Sequence, residues 1–171
     1  EFYGLFKYRK MISPRILISC LLYGFIFAFK TNIHVHLTDR DEFIIFNNAT
    51  KTWKEALESC RNHTAHLVSL ESQRKLIDLH MFLFSKDFIE SELISADPPY
   101  IYWSGGNDLN KPGTYEWEGT EKPFNYTHWL DEQSLNNNGS GCIQFGKGGF
   151  GRWSIEDCRT ERFYVCERIK D

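Results

Sequence analysis

Several side chains in this 171-residue chain could do chemistry, and their spacing decides which kind. Five cysteines come first. Cys20 sits in an apolar N-terminal run, which leaves Cys60, Cys142, Cys158 and Cys166. Four cysteines allow three pairings. Reduced core thiols or a zinc site are the other uses, but no Cys-x-x-Cys pair is present, which argues against zinc. Stable disulfides would imply an oxidising compartment. His63-x-x-His66 has two imidazoles but no acidic third ligand nearby, and His34-x-His36 lies in what reads as a stalk. Asp131-Glu132 is a carboxylate pair, yet adjacent loop residues need not converge on the roughly 5–9.5 Å opposed geometry of glycosidases. Gly146 to Gly151 is glycine-rich without the following Lys-Ser/Thr of a phosphate loop; a tight bend is its plainer use. No base stands beside a nucleophile or metal, so the chain is not expected to be an enzyme. A net charge of -3 gives no basic stripe for nucleic acid.

The elements that would position these groups are short. Cys142 to Cys166 carries three small apolar or aromatic runs between glycines and charges, the pattern of antiparallel strands joined by tight loops. Upstream, Glu42 to Phe46 reads as a strand and Asn47 to Lys51 as a turn. Thr52-x-x-Glu55 is a capping box that opens a helix. Trp53, Ala56, Leu57 and Cys60 then share one face, so Cys60 points to the core. Ser69 to Phe84 reads as a second helix, with Ser72 as cap and Leu76, Ile77, His80, Leu83 and Phe84 on one face; His80 fits a core histidine better than a ligand. Asp87 to Pro99 reads as a loop, Tyr100 to Ser104 as a strand, and Gly105 to Asp108 and Asn110 to Gly113 as turns. Tyr115 and Trp117 alternate with Glu116 and Glu118, as in a half-buried strand. The aromatic share of 16% lets one domain fill its core with large rings.

At the N-terminus, Met11 is the expected start, with residues 1–10 upstream of it. Arg15 precedes the apolar run Ile16 to Phe29, which suits a signal peptide better than a membrane span of about 20 residues. The rival is a type II membrane anchor with its basic end in the cytoplasm. The division is therefore 1–29 as extension and signal peptide, 30–40 as short linker and 41–171 as the domain. Asn48, Asn62, Asn125 and Asn138 head Asn-x-Ser/Thr triplets, which fits a secreted, extracellular glycoprotein.

The joint order of Trp53 and Cys60, His66-Leu67-Val68-Ser69, Tyr102-Trp103-Ser104-Gly105-Gly106, Tyr115-Glu116-Trp117, His128-Trp129 and Cys142/Trp153/Cys158/Phe163-Tyr164-Val165-Cys166 resembles a C-type lectin-like domain in its short form. The resemblance covers residues 41–169. It implies an α+β fold, two helices packed on two small antiparallel sheets with a long ligand loop inside Gly119 to Gly141. It also implies the pairings Cys60–Cys166 and Cys142–Cys158. In the chain-entropy model those loops are worth about 4.7 and about 3 kcal/mol.

The family's sugar-binding members hold calcium with a Glu-Pro-Asn or Gln-Pro-Asp triplet, an acid before the first short-loop cysteine, and a Trp-Asn-Asp triplet. Calcium wants six to eight oxygens. Here the first triplet is Glu132-Gln133-Ser134, Ser140 replaces the acid, and the second triplet is Trp153-Ser154-Ile155. Gln133 in place of the family's cis-proline would need a cis bond costing about 3–4 kcal/mol. Asp108 matches one ligand of the family's secondary site, but Pro112 stands where an acid is expected. Asp131 and Asn136-Asn137-Asn138 are the remaining oxygen sources. No cofactor is expected and calcium is disfavoured, with Glu132 and Asp108 as residual metal candidates. The candidate ligand residues are Glu132, Ser134, Ser154, Asn138 and Trp129. Trp117 and Trp129 could stack a sugar without calcium, although core packing is the commoner use of a tryptophan. The expected function is a secreted recognition module, nominally carbohydrate binding and directed at microbial glycans in innate defence. The alternative is a calcium-independent protein-binding domain. The expected partner is a glycan, glycoprotein or protein ligand, with no nucleic acid and no membrane insertion of the mature domain.

Overall fold

The computed structural model describes residues 33–38, 41–83, 101–130, 141–146 and 151–169. The expected signal segment and the loop from Asp87 to Pro99 lie outside them. The stretch 30–40, expected as a linker, contains strand β1 (Ile33–Leu37), which forms an antiparallel hairpin with β2 (Asp41–Lys51). Phe43 and Ile45 of β2 enter one core cluster with Val68, Leu70 and Leu79; Ile44 and Phe46 enter another with Trp53, Leu57 and Cys60. A strand buried on both faces reads as an unbroken apolar run, as Phe43 to Phe46 does. Asn47 to Lys51 is not a plain turn. The strand continues through an irregularity after Phe46 until Lys51 pairs with Arg162.

Helix α1 (Trp53–Asn62) starts on the expected capping box: Glu55 N–H donates to the Thr52 hydroxyl and Thr52 N–H to the Glu55 carboxylate. Trp53, Ala56, Leu57 and Cys60 are buried. Helix α2 (Gln73–Leu83) starts later than the expected Ser69. Residues 66–69 are committed to extended structure. His66–Leu67 is strand β3, Val68 N–H donates to Val165 O, Ser69 N–H donates to the Glu167 carboxylate, and Val68 O accepts from Gly105 N–H. Ser72 does cap α2, accepting from Lys75 N–H at 3.2 Å. The buried face is Leu76, Leu79, Phe82 and Leu83; Ile77 and His80 are half-buried, and Phe84 lies outside the described residues.

Strand β4 (Tyr102–Asn107) takes in Gly105 and Gly106, expected as a turn. Packing explains them. A Cβ on Gly105 would lie 2.9 Å from Leu67 O, and one on Gly106 would lie 2.8 Å from both Ile143 and Phe124. The strands β5 (Glu116–Trp117), β6 (Lys122–Pro123), β7 (Cys142–Phe145), β8 (Trp153–Glu156) and β9 (Arg162–Ile169) complete the sheet. Its main path is β1-β2-β9-β4-β5-β6, with β3 on β9 and β7 bridging β4 to β8. Two separate antiparallel sheets were expected. A parallel pairing of β4 with β9, Tyr102 opposite Phe163, joins the strands into one mixed sheet. The α+β class holds. Both disulfides are present: Cys60–Cys166 ties α1 to β9, and Cys142–Cys158 closes the β7–β8 hairpin, with Cα separations of 5.5 and 5.1 Å.

Candidate functional site

Of the positions where the resemblance places metal ligands, the structure describes Asp108 after β4 and Ser154–Ile155 on β8. Asp108 follows β4 directly and is 2% exposed. Its carboxylate accepts the Gly113 N–H at 2.8 Å and the Gly141 N–H at 2.6 Å, while its own N–H donates to Gly141 O at 3.2 Å. A carboxylate that accepts backbone amides satisfies donors that burial would otherwise orphan. Asp108 thereby clamps the turn at 113 to the residue before Cys142.

Ser154 lies on β8 opposite Gln144 of β7 and is 7% exposed. Its hydroxyl accepts from Gln144 Nε2 at 3.0 Å, Gln144 Oε1 accepts from Arg162 Nε at 2.7 Å, and Arg162 reaches Glu156 at 3.1 Å. The next side chain, Ile155, sits so close over Gly141 that a Cβ there would be 2.2 Å from Ile155 Cγ2. The second-triplet positions thus hold a buried hydrogen-bond chain and an apolar contact. Among the described residues no group of three or more His, Cys, Asp or Glu could hold a metal. Glu132, Ser134, Asn138, Asp131 and Ser140 lie outside the described residues.

The two tryptophans weighed for stacking separate cleanly. Trp117 is 1% exposed and packs edge-on against the equally buried Trp153, so it is core. Trp129 is half-buried. It belongs to a strip with Tyr115, Phe124 and Tyr126, all partly buried against the same core. Tyr115 lies 5.5 Å from Trp129, Phe124 lies 6.3 Å from it, and Tyr126 and Trp129 both meet the Trp153 ring edge-on. Backbone bonds fix the strip to β8: Trp153 N–H donates to His128 O and Leu130 N–H to Trp153 O.

Arg152, which the sequence reading did not single out, lies beside this strip. Gly151 turns the chain just before it with φ +65, where a Cβ would meet Leu76 at 2.9 Å. The exposed Arg152 guanidinium donates to Trp129 O at 3.0 Å. Its charge lowers the titration of the Tyr126 phenol, against burial, which raises it more. No spacing rule marks Arg152; only the fold brings it to Trp129.

His63 and His66 do not converge on a shared ligand. The His63 ring meets Ser59 O and the His66 ring meets Leu67 O. Asn48, Asn62 and Asn125 are all exposed.

The model of the Lectin C-type domain family matches residues 49–168. The chain is 28% identical over 119 residues to the secretory phospholipase A2 receptor of Oryctolagus cuniculus, covering 69% of this chain. It spans only 7 to 8% of the length of the first curated relatives it matches. Among solved structures, the mouse scavenger receptor C-type lectin carbohydrate-recognition domain superposes with a TM-score of 0.64 at 17% identity, covering 81% of this chain and 95% of that one. A calcium-independent type II antifreeze protein superposes with a TM-score of 0.63 at 18% identity, covering 79% and 91%. With both bridges, the mixed sheet and a family match across most of its length, this chain belongs to the C-type lectin domain family.

Proposed function

We propose that this domain is a secreted, glycosylated recognition module that binds carbohydrate without calcium, using the half-buried strip around Trp129. Domains of this family are non-enzymatic binding modules, and this one is likewise a binder. The observation that carries the reading is the commitment of Asp108: both carboxylate oxygens accept backbone N–H groups. Oxygens so engaged at the secondary-site position, with a Ser154 tied to Gln144 and an apolar Ile155 at the second-triplet positions, are a poor start at either place for a cation that needs six to eight oxygens. Trp129 and Tyr126 are instead partly buried rings that each carry a polar atom, the side-chain type that suits the apolar face of a sugar. The microbial target and the role in innate defence follow from the family resemblance. The signal-like run before Lys30 and the paired cysteines support secretion.

Melting the domain in calcium and in chelator, with a glycan array read under both conditions, tests this. The expected result is an unchanged melting temperature and array binding that survives chelation. A calcium-induced rise of several degrees overturns the calcium-independent reading. Silence on the array under both conditions overturns the glycan reading in favour of protein recognition.

A further inference from the structure

Among the described residues, arginines pair with carboxylates as a rule. Arg61 meets Glu118, Arg74 meets Asp78, Arg159 meets Asp157, Arg162 meets Glu156 and Arg168 meets Glu42. Arg152 is the exception among these residues: it is exposed, and its guanidinium donates to the Trp129 carbonyl. That bond uses one N–H of a group carrying five. It also holds the guanidinium against the backbone of Trp129, the half-buried tryptophan of the Tyr115–Phe124–Tyr126–Trp129 strip. The mounting is firm. Gly151 is buried against Leu76, and Trp153, on the other side of Arg152, is 0% exposed and bonded through its N–H to His128 O. A planar cation with no carboxylate partner among the described residues, held on the Trp129 backbone and near enough to the Tyr126 phenol to act on its titration, matches a ligand that presents a planar or tetrahedral anion next to an apolar ring.

We infer that Arg152, Trp129 and Tyr126 form a subsite for anionic saccharides, with the sugar ring against the Trp129–Tyr126 strip and its carboxylate or sulfate on the Arg152 guanidinium. This deepens the proposed function and rests on it, because it names which glycans the strip prefers. Charge alone does not define the subsite. The ring faces select a saccharide over a bare anion, and the guanidinium selects an acidic saccharide over a neutral one. Asn125, an exposed glycan acceptor between Phe124 and Tyr126, borders the same strip, so a glycan there would partly screen it.

Calorimetry on the full chain in chelator would compare sialyllactose with lactose for the carboxylate, and a heparin-derived tetrasaccharide with cellotetraose for the sulfate. Arg152→Gln and Arg152→Lys would be run beside the parent, with Thr127→Ala to remove the Asn125 acceptor. Near-ultraviolet circular dichroism would confirm that each is folded. The subsite requires the acidic member of at least one pair to bind about tenfold or more tighter than its neutral partner, the size expected for a hydrogen bond to a charged group. That preference should vanish in Arg152→Gln, return in part in Arg152→Lys and weaken with added salt. Whichever pair shows it identifies the anion. Equal binding of acidic and neutral saccharides, or a preference untouched by Arg152→Gln, overturns the inference while leaving the glycan reading intact. Equal binding of polyaspartate and the acidic saccharides also overturns it, since charge alone would then suffice. Absence of any saccharide binding in both the parent and Thr127→Ala overturns the glycan reading, and the inference falls with it.

Discussion

Lys75 on α2 places its ammonium against the carboxylate of Glu167 on β9, a side chain with no exposed surface. The other carboxylate oxygen accepts Ser69 N–H at 2.8 Å and lies 3.5 Å from the His66 ring. Burial pushes the Glu167 titration up, and the Lys75 charge pulls it back. This contact fastens α2 to the strand that also carries Cys166. Lys75→Met should cost about 3–5 kcal/mol in urea unfolding, because it strands a buried carboxylate. The double change Lys75→Met with Glu167→Leu should recover a large part of that loss. A cost under about 1 kcal/mol for the single variant would show the pair to be solvated.

Two histidines should make the fold sensitive to mild acid. Burial lowers the titration of His36 and of His80 below 6.5; nearby Asp78 opposes this for His36, and His128 adds to it for His80. The unfolded chain therefore takes up these protons first. Stability is fully present above about pH 6.5 and falls as pH drops through that value toward the lower folded values. The melting temperature should decline on going from neutral to mildly acidic buffer. His80→Gln should flatten part of that decline. A melting temperature constant over this window would remove both histidines from the account.

Asp108→Asn tests the clamp between the turn at 113 and Gly141. Asparagine keeps one acceptor oxygen and places an NH2 against the second backbone donor. The expected loss is about 1–3 kcal/mol, for a buried donor left unsatisfied. Chemical denaturation should give the same loss in calcium and in chelator. A loss seen only in calcium would make Asp108 a metal ligand.

Gly106 gives a packing test that reaches the ligand strip. Alanine there would press on Ile143 and Phe124, and Phe124 stacks on Trp117 at 4.1 Å. Gly106→Ala should destabilise by about 1–3 kcal/mol through overpacking. It should also weaken any ligand held by the Tyr115–Phe124–Trp129 strip, which calorimetry would report. Unchanged stability would mean that β4 and β7 separate easily at this point.

The disulfides should rank by loop length. Replacing Cys60 and Cys166 by alanine should cost about 4.7 kcal/mol and replacing Cys142 and Cys158 about 3, as the chain-entropy model predicts for loops of about 100 and 15 residues. Equilibrium unfolding of the two double variants would check the order, and a reversed order would point to native-state effects beyond loop entropy.

Sequence pattern was most informative where local chemistry decides structure. Thr52 and Glu55 opened α1 as expected, and the i, i+3, i+4, i+7 face ending at Cys60 was the buried one. It was less so where partners distant in sequence decide. The Ser69 end of α2 could not be placed from local propensity, because Val68 and Ser69 are bound by Val165 and Glu167, almost a hundred residues away. Gly105 and Gly106 looked like turn residues; their use, close passage of strands, depends on Leu67, Ile143 and Phe124. At the site, the altered triplets were legible as residue types. What Asp108 and Ser154 do instead was not, since Gly141 and Gln144 become their partners only after folding. Arg152 carried no signal at all, as its meaning rests on which arginines find carboxylates.

Strand β1 lies at the outer border of the sheet, paired with β2 as its strand neighbour among the described residues while His36 stacks on Phe82 of α2, whereas Asp41 at the start of β2 lies across from Ile169 near the end of β9. A pull from the N-terminal side would therefore strip β1 away one rung at a time, starting at Ile33, and reach Asp41 only afterwards. From there the strain would pass across a single rung to Ile169 and out of the domain. Trp129 and Tyr126, packed against β8, stand off that line, so the leading strand would give way before the aromatic strip felt the load.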